Sequence, residues 1–205
     1  VFLAHQRGPA GFEKECVIKR ILPNLAVDSE FIEMFLDEAR IAARLSHPNI
    51  VQLFDLGQVG KDYFLAMEYV DGVNLEHVLE RLAQQAKARG SESYLPWPLA
   101  VRIIAEAAAG LDHAHNARDS AGRSLGLVHR DISPSNLMLS WGGAAKILDF
   151  GIAKAVQGNI KRSKTEVGTV KGKVPYMSPE QLQGLALDGR SDLFSLGVIL
   201  YELVC

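Results

Sequence analysis

Cysteine is scarce in this chain: Cys16 and Cys205 are the only two, and they sit near its opposite ends. That excludes a disulfide framework and fits a reducing compartment, so the expected location is cytoplasmic. Charge of one sign is also lacking. With 22 Lys and Arg against 24 Asp and Glu the formal net charge is −2, too small a field to gather nucleic acid or an anionic membrane surface. Long apolar runs are missing as well. The stretch Leu193 to Val204 contains Ser195, Gly197 and Glu202, is too short to span a bilayer, and reads as a buried helix. No signal peptide opens the chain, since Val1-Phe2-Leu3-Ala4 is followed at once by His5, Arg7 and Gly8. There is no initiator Met, so the chain is expected to be a piece of a longer protein, with any membrane anchor outside it. Internal repeats and low-complexity segments are absent.

What is present is enough apolar material, 48% of 205 residues, to bury a sizeable core in one domain. Phe2 to Ala4 and Glu15 to Ile21 read as strands joined through Gly8-Pro9-Ala10-Gly11. In the second, alternation puts Val17, Lys19 and Ile21 on one face. A lysine in that position is either a solvated edge lysine or a functional one, and pattern alone favours the edge. Asp28 or Ser29 caps a helix running to about Leu45, in which Phe31, Phe35, Ala42 and Leu45 line one side and Glu38 falls among them. A carboxylate in an apolar stripe is costly unless paired, so Glu38 requires a cationic partner. Ile50 to Leu56 and Tyr63 to Tyr69 read as two further strands around a Gly57 to Asp62 turn.

From Asp71 onward the pattern turns helical. Asn74 caps a segment to about Arg89, and Pro98 begins another to about Ala117 whose Val101, Ile104, Ala105, Ala108 and Leu111 form a core stripe. Leu137 to Leu139 and Ala145 to Leu148 form a small hairpin around Trp141-Gly142-Gly143. Just before it lies His129-Arg130-Asp131-Ile132-Ser133-Pro134-Ser135-Asn136, and just after it Asp149-Phe150-Gly151. An Asp and an Asn five positions apart on a tight loop can face one substrate, the Asp taking a hydroxyl proton and the Asn amide oxygen ligating a metal. Asp149 supplies a second metal ligand. Such a sparse set suits magnesium, which is usually held by one or two protein groups plus substrate phosphates. His113, His115 and His129 come close in sequence, but no cysteine or matched carboxylate spacing accompanies them, which argues against zinc.

These two motifs resemble the HRDxxxxN loop and DFG triplet of the eukaryotic-like protein kinases, and the likeness extends along essentially the whole chain to the bacterial serine/threonine members. The resemblance implies a bilobal α+β fold: a small antiparallel β lobe with one helix over residues 1–70, and a mainly helical large lobe over 71–205. Cys16-Val17-Ile18-Lys19 resembles the VAIK strand, which implies that Lys19 holds the nucleotide phosphates and pairs with Glu38. Met67-Glu68-Tyr69-Val70 resembles the hinge, with Met67 as gatekeeper and the backbone of Glu68 and Val70 facing adenine; Val1, Val17 and Met138 match the apolar positions around the purine. For these last residues ordinary core is the competing reading.

The implied activity is ATP- and magnesium-dependent phosphoryl transfer to protein serine or threonine hydroxyls, Asp131 serving as base and Asn136 and Asp149 holding the metal. Ser178-Pro179-Glu180, in the place of the family's APE, follows a long basic loop and favours protein over small-molecule substrates. That loop carries Lys154, Lys161, Arg162, Lys164, Lys171 and Lys173 around Ser163, Thr165 and Thr169; phosphate on one of these, Thr165 ranked first, would pair with Arg130. Autophosphorylation in trans is among the implied partnerships.

Four departures accompany the likeness. The glycine-rich phosphate loop belongs immediately before Val1, and the chain ends inside the expected central helix of the large lobe, which leaves Glu180 without its expected Arg. Ser133 stands where the family commonly has a lysine, and Lys173 where it usually has a threonine contacting the catalytic loop. Ser133 is the best support for the alternative function, a nucleotide-binding pseudokinase or signalling scaffold. Asp192 matches the family's helix-capping Asp that braces the catalytic loop, and N-capping is its ordinary structural role too.

Overall fold

A computed structural model of the 205-residue chain describes residues 1–21, 29–60, 62–149 and 173–205, with the side chains of 29–31, 34 and 38 outside that description. The expectations for Glu38, Phe31, Phe150, Gly151, Ser163, Thr165, Thr169 and the basic residues up to Lys171 therefore fall outside the described residues.

The first part is an antiparallel sheet of β1 (Phe2–Arg7), β2 (Glu13–Arg20), β3 (Leu53–Val59) and β4 (Asp62–Glu68) in the order β1-β2-β4-β3. Both hairpin strands at the start are longer than the apolar pattern suggested, because pairing continues through polar positions such as His5 opposite Glu15 and Arg7 opposite Glu13. The β3–β4 turn is tighter than expected: Gly57, Gln58 and Val59 stay in the ladder, Val59 opposite Asp62, and Gly60 just beyond is left-handed at φ 61°. Helix α1 (Ser29–Ala42) packs Phe35 and Ala39 against Ile21 and Leu65 of the sheet. It ends before Leu45 because the last N–H groups switch to i→i−3 partners, Arg44 to Ile41 and Leu45 to Ala42, which closes the helix with a tightened turn.

The second part holds a three-stranded sheet, β5 (Gly72–Asn74), β6 (Leu137–Ser140) and β7 (Ala145–Ile147), and the helices α2 (Leu75–Arg89), α3 (Trp97–His115), α4 (Pro179–Gln183) and α5 (Gly189–Val204). Asn74 caps α2 as expected, its side-chain oxygen accepting the His77 N–H at 2.9 Å. Leu111, Leu137, Ile147, Ile199 and Leu203 are fully buried in one cluster, each contributing roughly 1.5–3 kcal/mol by leaving water. Helix α5 is only half a buried helix. Ile199 and Leu203 face the core, but Leu193, Phe194 and Tyr201 are exposed.

The two parts are stitched where the residues before β3 meet β7. The Val51 N–H donates to the Ile147 carbonyl and the Ile147 N–H to the Asn49 carbonyl, each at 2.9 Å. Asn49 Nδ2 donates to the Ala145 carbonyl at 2.9 Å, and the Ala145 N–H in turn donates to Glu106 of α3 at 2.7 Å. Burial alone would raise the Glu106 pKa, but the Ala145 N–H and the Arg102 guanidinium outweigh it and hold the carboxyl below its ordinary value. The strand that leads into Asp149 is thus tied both to the first sheet and to α3.

Candidate active site

The segment from His129 to Asn136 has little regular structure of its own and is held from outside. Asp192, 1% exposed in the first turn of α5, is its main anchor. One carboxylate oxygen accepts the Arg130 N–H at 2.8 Å; the other accepts the His129 N–H at 2.8 Å and lies 2.8 Å from His115 Nε2. Asp192 is not the helix cap. That place belongs to Asp188, whose side chain accepts the Arg190 N–H at 2.9 Å, and this frees Asp192 to turn inward. Gly189 makes room for the arrangement, since a Cβ there would fall 2.5 Å from the His115 ring.

Arg130 sits in the left-handed region at φ 65°. A non-glycine residue adopts it only where its surroundings over-determine the backbone. Here the N–H is held by Asp192 and the carbonyl accepts from Gln181 Nε2 of α4 at 2.9 Å. The Arg130 Nε is buried and has no hydrogen-bond partner among the described residues.

His129 is fully buried and carries structural information of its own. Its Nδ1 accepts the Asp131 N–H at 3.3 Å, and its Nε2 lies 2.8 Å from the Leu148 carbonyl oxygen. A carbonyl can only accept, so the proton is on Nε2 and the ring is neutral. Burial lowers its pKa, against the opposing pull of Asp192, the Leu148 carbonyl, Asp131 and Asp149. His47 is lowered in the same direction by burial and by the neighbouring His113 and Lys146. The unfolded chain therefore takes up protons below the ordinary value of 6.5 that the folded chain refuses. Stability should be full above that pH and decline as pH falls through it. Calorimetric unfolding at about pH 5.5 in buffers of differing ionisation heat should show net proton uptake; stability independent of pH between about 5 and 7 would contradict this assignment.

Asn136 closes the loop. Its Nδ2 donates to the Asp131 carbonyl at 2.7 Å and to the Asp131 carboxylate at 3.0 Å. Both partners are acceptors, so the amide orientation is fixed and Oδ1, the atom a cation could use, points away from them. The Asn136 carbonyl accepts the Leu148 N–H at 2.9 Å. Leu148 is thereby held on both sides, by Asn136 and by His129, and the next residue is Asp149, itself at φ 33°. Asp149 Oδ1 lies 3.0 Å from Lys19 Nζ across from β2. A carboxylate, an oriented amide oxygen and an ammonium in one connected set are the donor types that a magnesium ion and nucleotide phosphates require. Lys19 is therefore no edge lysine: β2 is an inner strand, and the described partner of Lys19 is Asp149, while the side chain of Glu38 lies outside the described residues.

The expected purine-contacting residues come together only in part. Val17 of β2 pairs directly with Met67 of β4, and Met138 lies on β6 opposite Asn74 and Lys146. The Glu68 N–H is taken by the Gln52 carbonyl at 2.8 Å, so it is not open to an adenine edge, and its side chain pairs with Lys146 at 2.8 Å. Val70 is buried. Val1 lies just ahead of β1 and is 82% exposed.

The three neighbouring histidines have separate partners: His113 stacks on His47 with ring centroids 5.1 Å apart, His115 meets Asp192, and His129 meets Leu148. Two further expectations need correction. Glu180 is not unpartnered, since Ser191 Oγ donates to it at 2.5 Å; that bond, then its own backbone N–H, lowers its pKa. Lys173 does not merely replace a threonine. Its Nζ lies 2.6 Å from Asp131 Oδ2, a contact with no sequence-local signal.

Comparison with known proteins agrees with this architecture. The family model described as protein kinase domain matches residues 9–205, and the chain belongs to that family. Similar curated proteins include a tyrosine-protein kinase, MasK, of Myxococcus xanthus, 48% identical over 202 residues and covering 98% of this chain. A serine/threonine-protein kinase, PknB, of Mycobacterium tuberculosis is 36% identical over 197 residues, covering 93%. The chain spans only 30% and 28% of the length of these two relatives. Among solved structures, the kinase domain of Mycobacterium tuberculosis PknI superposes with a TM-score of 0.66 at 29% identity, covering 98% of this chain and 67% of that one.

Proposed function

We propose that this chain transfers the γ-phosphoryl group of ATP to serine and threonine hydroxyls of protein substrates, with Asp131 as general base. The observation that carries the reading is the single bonded path Asp131–Asn136–Leu148, which leads into Asp149 and its ion pair with Lys19. In the step itself the acceptor hydroxyl gives its proton to the Asp131 carboxylate as its oxygen bonds to the γ-phosphorus. The bond from that phosphorus to the bridging oxygen breaks, and ADP leaves with the electron pair. Asn136 and Asp149 would hold magnesium, which supplies charge neutralisation at the phosphate oxygens. Lys19 would orient the phosphates, and the Val17–Met67 pair and Met138 would flank the purine ring. Arg130, half-buried within this loop, is suited to receive a phosphate on Ser163, Thr165 or Thr169.

A second reading concerns the acceptor alone. The relative that is 48% identical is named a tyrosine kinase, whereas the PknB relatives are named serine/threonine kinases. Incubation with magnesium and γ-labelled ATP, followed by acid hydrolysis of the labelled protein, should release phosphoserine and phosphothreonine. Phosphotyrosine alone would assign the tyrosine acceptor instead. Nucleotide binding with no label would leave a scaffold.

A further inference from the structure

Position 133, two residues past Asp131, offers no charge. Ser133 is 2% exposed and its hydroxyl is spent on Ser135 Oγ at 3.1 Å. A phosphoryl group in transfer spreads negative charge over its equatorial oxygens, and a site that handles it needs a cation close by. The described structure brings one in from a distant part of the chain. Lys173 Nζ lies 2.6 Å from Asp131 Oδ2, in a site where the two side chains are 25% and 14% exposed.

The segment carrying Lys173 is not a loose surface turn. The Tyr176 N–H donates back to the Lys173 carbonyl at 3.1 Å. The Tyr176 carbonyl accepts Ser195 Oγ of α5 at 2.6 Å, and its hydroxyl donates to Glu202 at 2.7 Å. Burial, then this bond to Glu202, pushes the Tyr176 phenol well above its ordinary pKa, so it remains a donor. Ser178 caps α4 with a reciprocal Gln181 bond, and Gln181 reaches the Arg130 carbonyl. Helix α5 therefore grips both sides of the ion pair, Asp131 through Asp192 and Lys173 through Ser195.

We propose that Lys173 is a catalytic lysine of the transfer reaction, supplying to the phosphoryl group, from the segment ahead of α4, the cation that position 133 lacks. The proposal rests on the assignment of Asp131 as base. A hydroxyl within hydrogen-bond reach of that carboxylate oxygen, about 2.6–3.2 Å, lies within roughly 6 Å of an ammonium bonded to the same oxygen, and the phosphorus it attacks lies about 3–3.5 Å from the hydroxyl. In a water-poor site that separation gives a strong interaction with developing charge. Free of substrate, the ammonium rests on Asp131; with substrate in place it has both the base and the phosphoryl oxygens within reach.

The test compares wild type, Lys173→Met, Lys173→Arg and Asp131→Asn. Initial rates are measured together with calorimetric affinities for magnesium-ADP and for magnesium-ADP with aluminium fluoride, a mimic of the phosphoryl group in transit. Removing one preorganised donor to developing charge costs about 10²–10³-fold in kcat. Lys173→Met should fall by that factor with the KM for ATP within about threefold, keep its ADP affinity, and lose the gain in affinity that aluminium fluoride brings. Lys173→Arg should retain part of both. A role confined to holding the loop would lower both affinities alike and would overturn the proposal, as would an unchanged or increased rate in Lys173→Met while Asp131→Asn is inactive. Full activity of Asp131→Asn would instead overturn the assignment of the base on which the proposal stands.

Discussion

Asp192→Ala should destabilise the chain by about 3–5 kcal/mol, the range for removing one partner of a buried charged network, and should abolish transfer although residue 192 is buried behind the loop. The carboxylate is the acceptor for two buried backbone N–H groups, those of His129 and Arg130, and for His115. Alanine leaves all three without that acceptor, and each unsatisfied buried donor costs about 1–3 kcal/mol. It also removes the restraint that keeps Arg130 at φ 65°. For a chain of this size the loss corresponds to a fall in Tm on the order of 10 °C. Asp192→Asn keeps an acceptor oxygen and should fall between the two. Thermal melting of the three proteins, with transfer assayed below their melting range, checks the expectation. A Tm for Asp192→Ala within about 2 °C of wild type would show that the loop is held by something else.

The effect is large because one residue of α5 organises a loop more than fifty positions away in sequence. The loop presents Asp131 on one side and, through Asn136 and Leu148, sets Asp149 on the other. Lys173 is held from the same helix by Ser195. Helix α5 is thus the rigid element behind both charges of the Asp131–Lys173 pair. Catalytic groups carried on loops gain their precision from such supports.

The elements of the fold were readable wherever local signals decide structure. Alternation in β2, the Asn74 cap, the proline in the first turn of α3 and the turn residues of the β6–β7 hairpin each act within a few residues, so pattern and structure agree to within a residue or two there. Boundaries drifted where tertiary pairing overrode pattern, as at the extended β1–β2 hairpin and the turn at Gly60. The motif residues Asp131, Asn136 and Asp149 stood out because their spacing is itself chemical information. Glu38, conspicuous as a charge in an apolar stripe, has its side chain outside the described residues.

Other features were hidden for a physical reason. In Asp188-Gly189-Arg190-Ser191-Asp192 either acid could cap a helix, and only the packing of α5 against His115 and His129 assigns the cap to Asp188 and the anchor to Asp192. The substitutions at Ser133 and Lys173 read along the chain as two separate departures. Forty residues apart, they become one feature only when Lys173 is seen on Asp131. The Ser191 bond to Glu180 is a contact of the same kind.

The measurement that bears most directly on the whole account is the transfer rate of Asp131→Asn beside wild type at saturating magnesium and ATP, with ATP affinity determined separately. Asparagine preserves the size of the side chain and its ability to meet Asn136 but cannot take a proton from a hydroxyl. General base catalysis is worth about 10²–10⁴-fold. Asp131→Asn should be slower by that factor, with an ATP dissociation constant within about threefold of wild type and a melting temperature close to wild type. Equal rates for the two proteins would contradict the role of Asp131 as base.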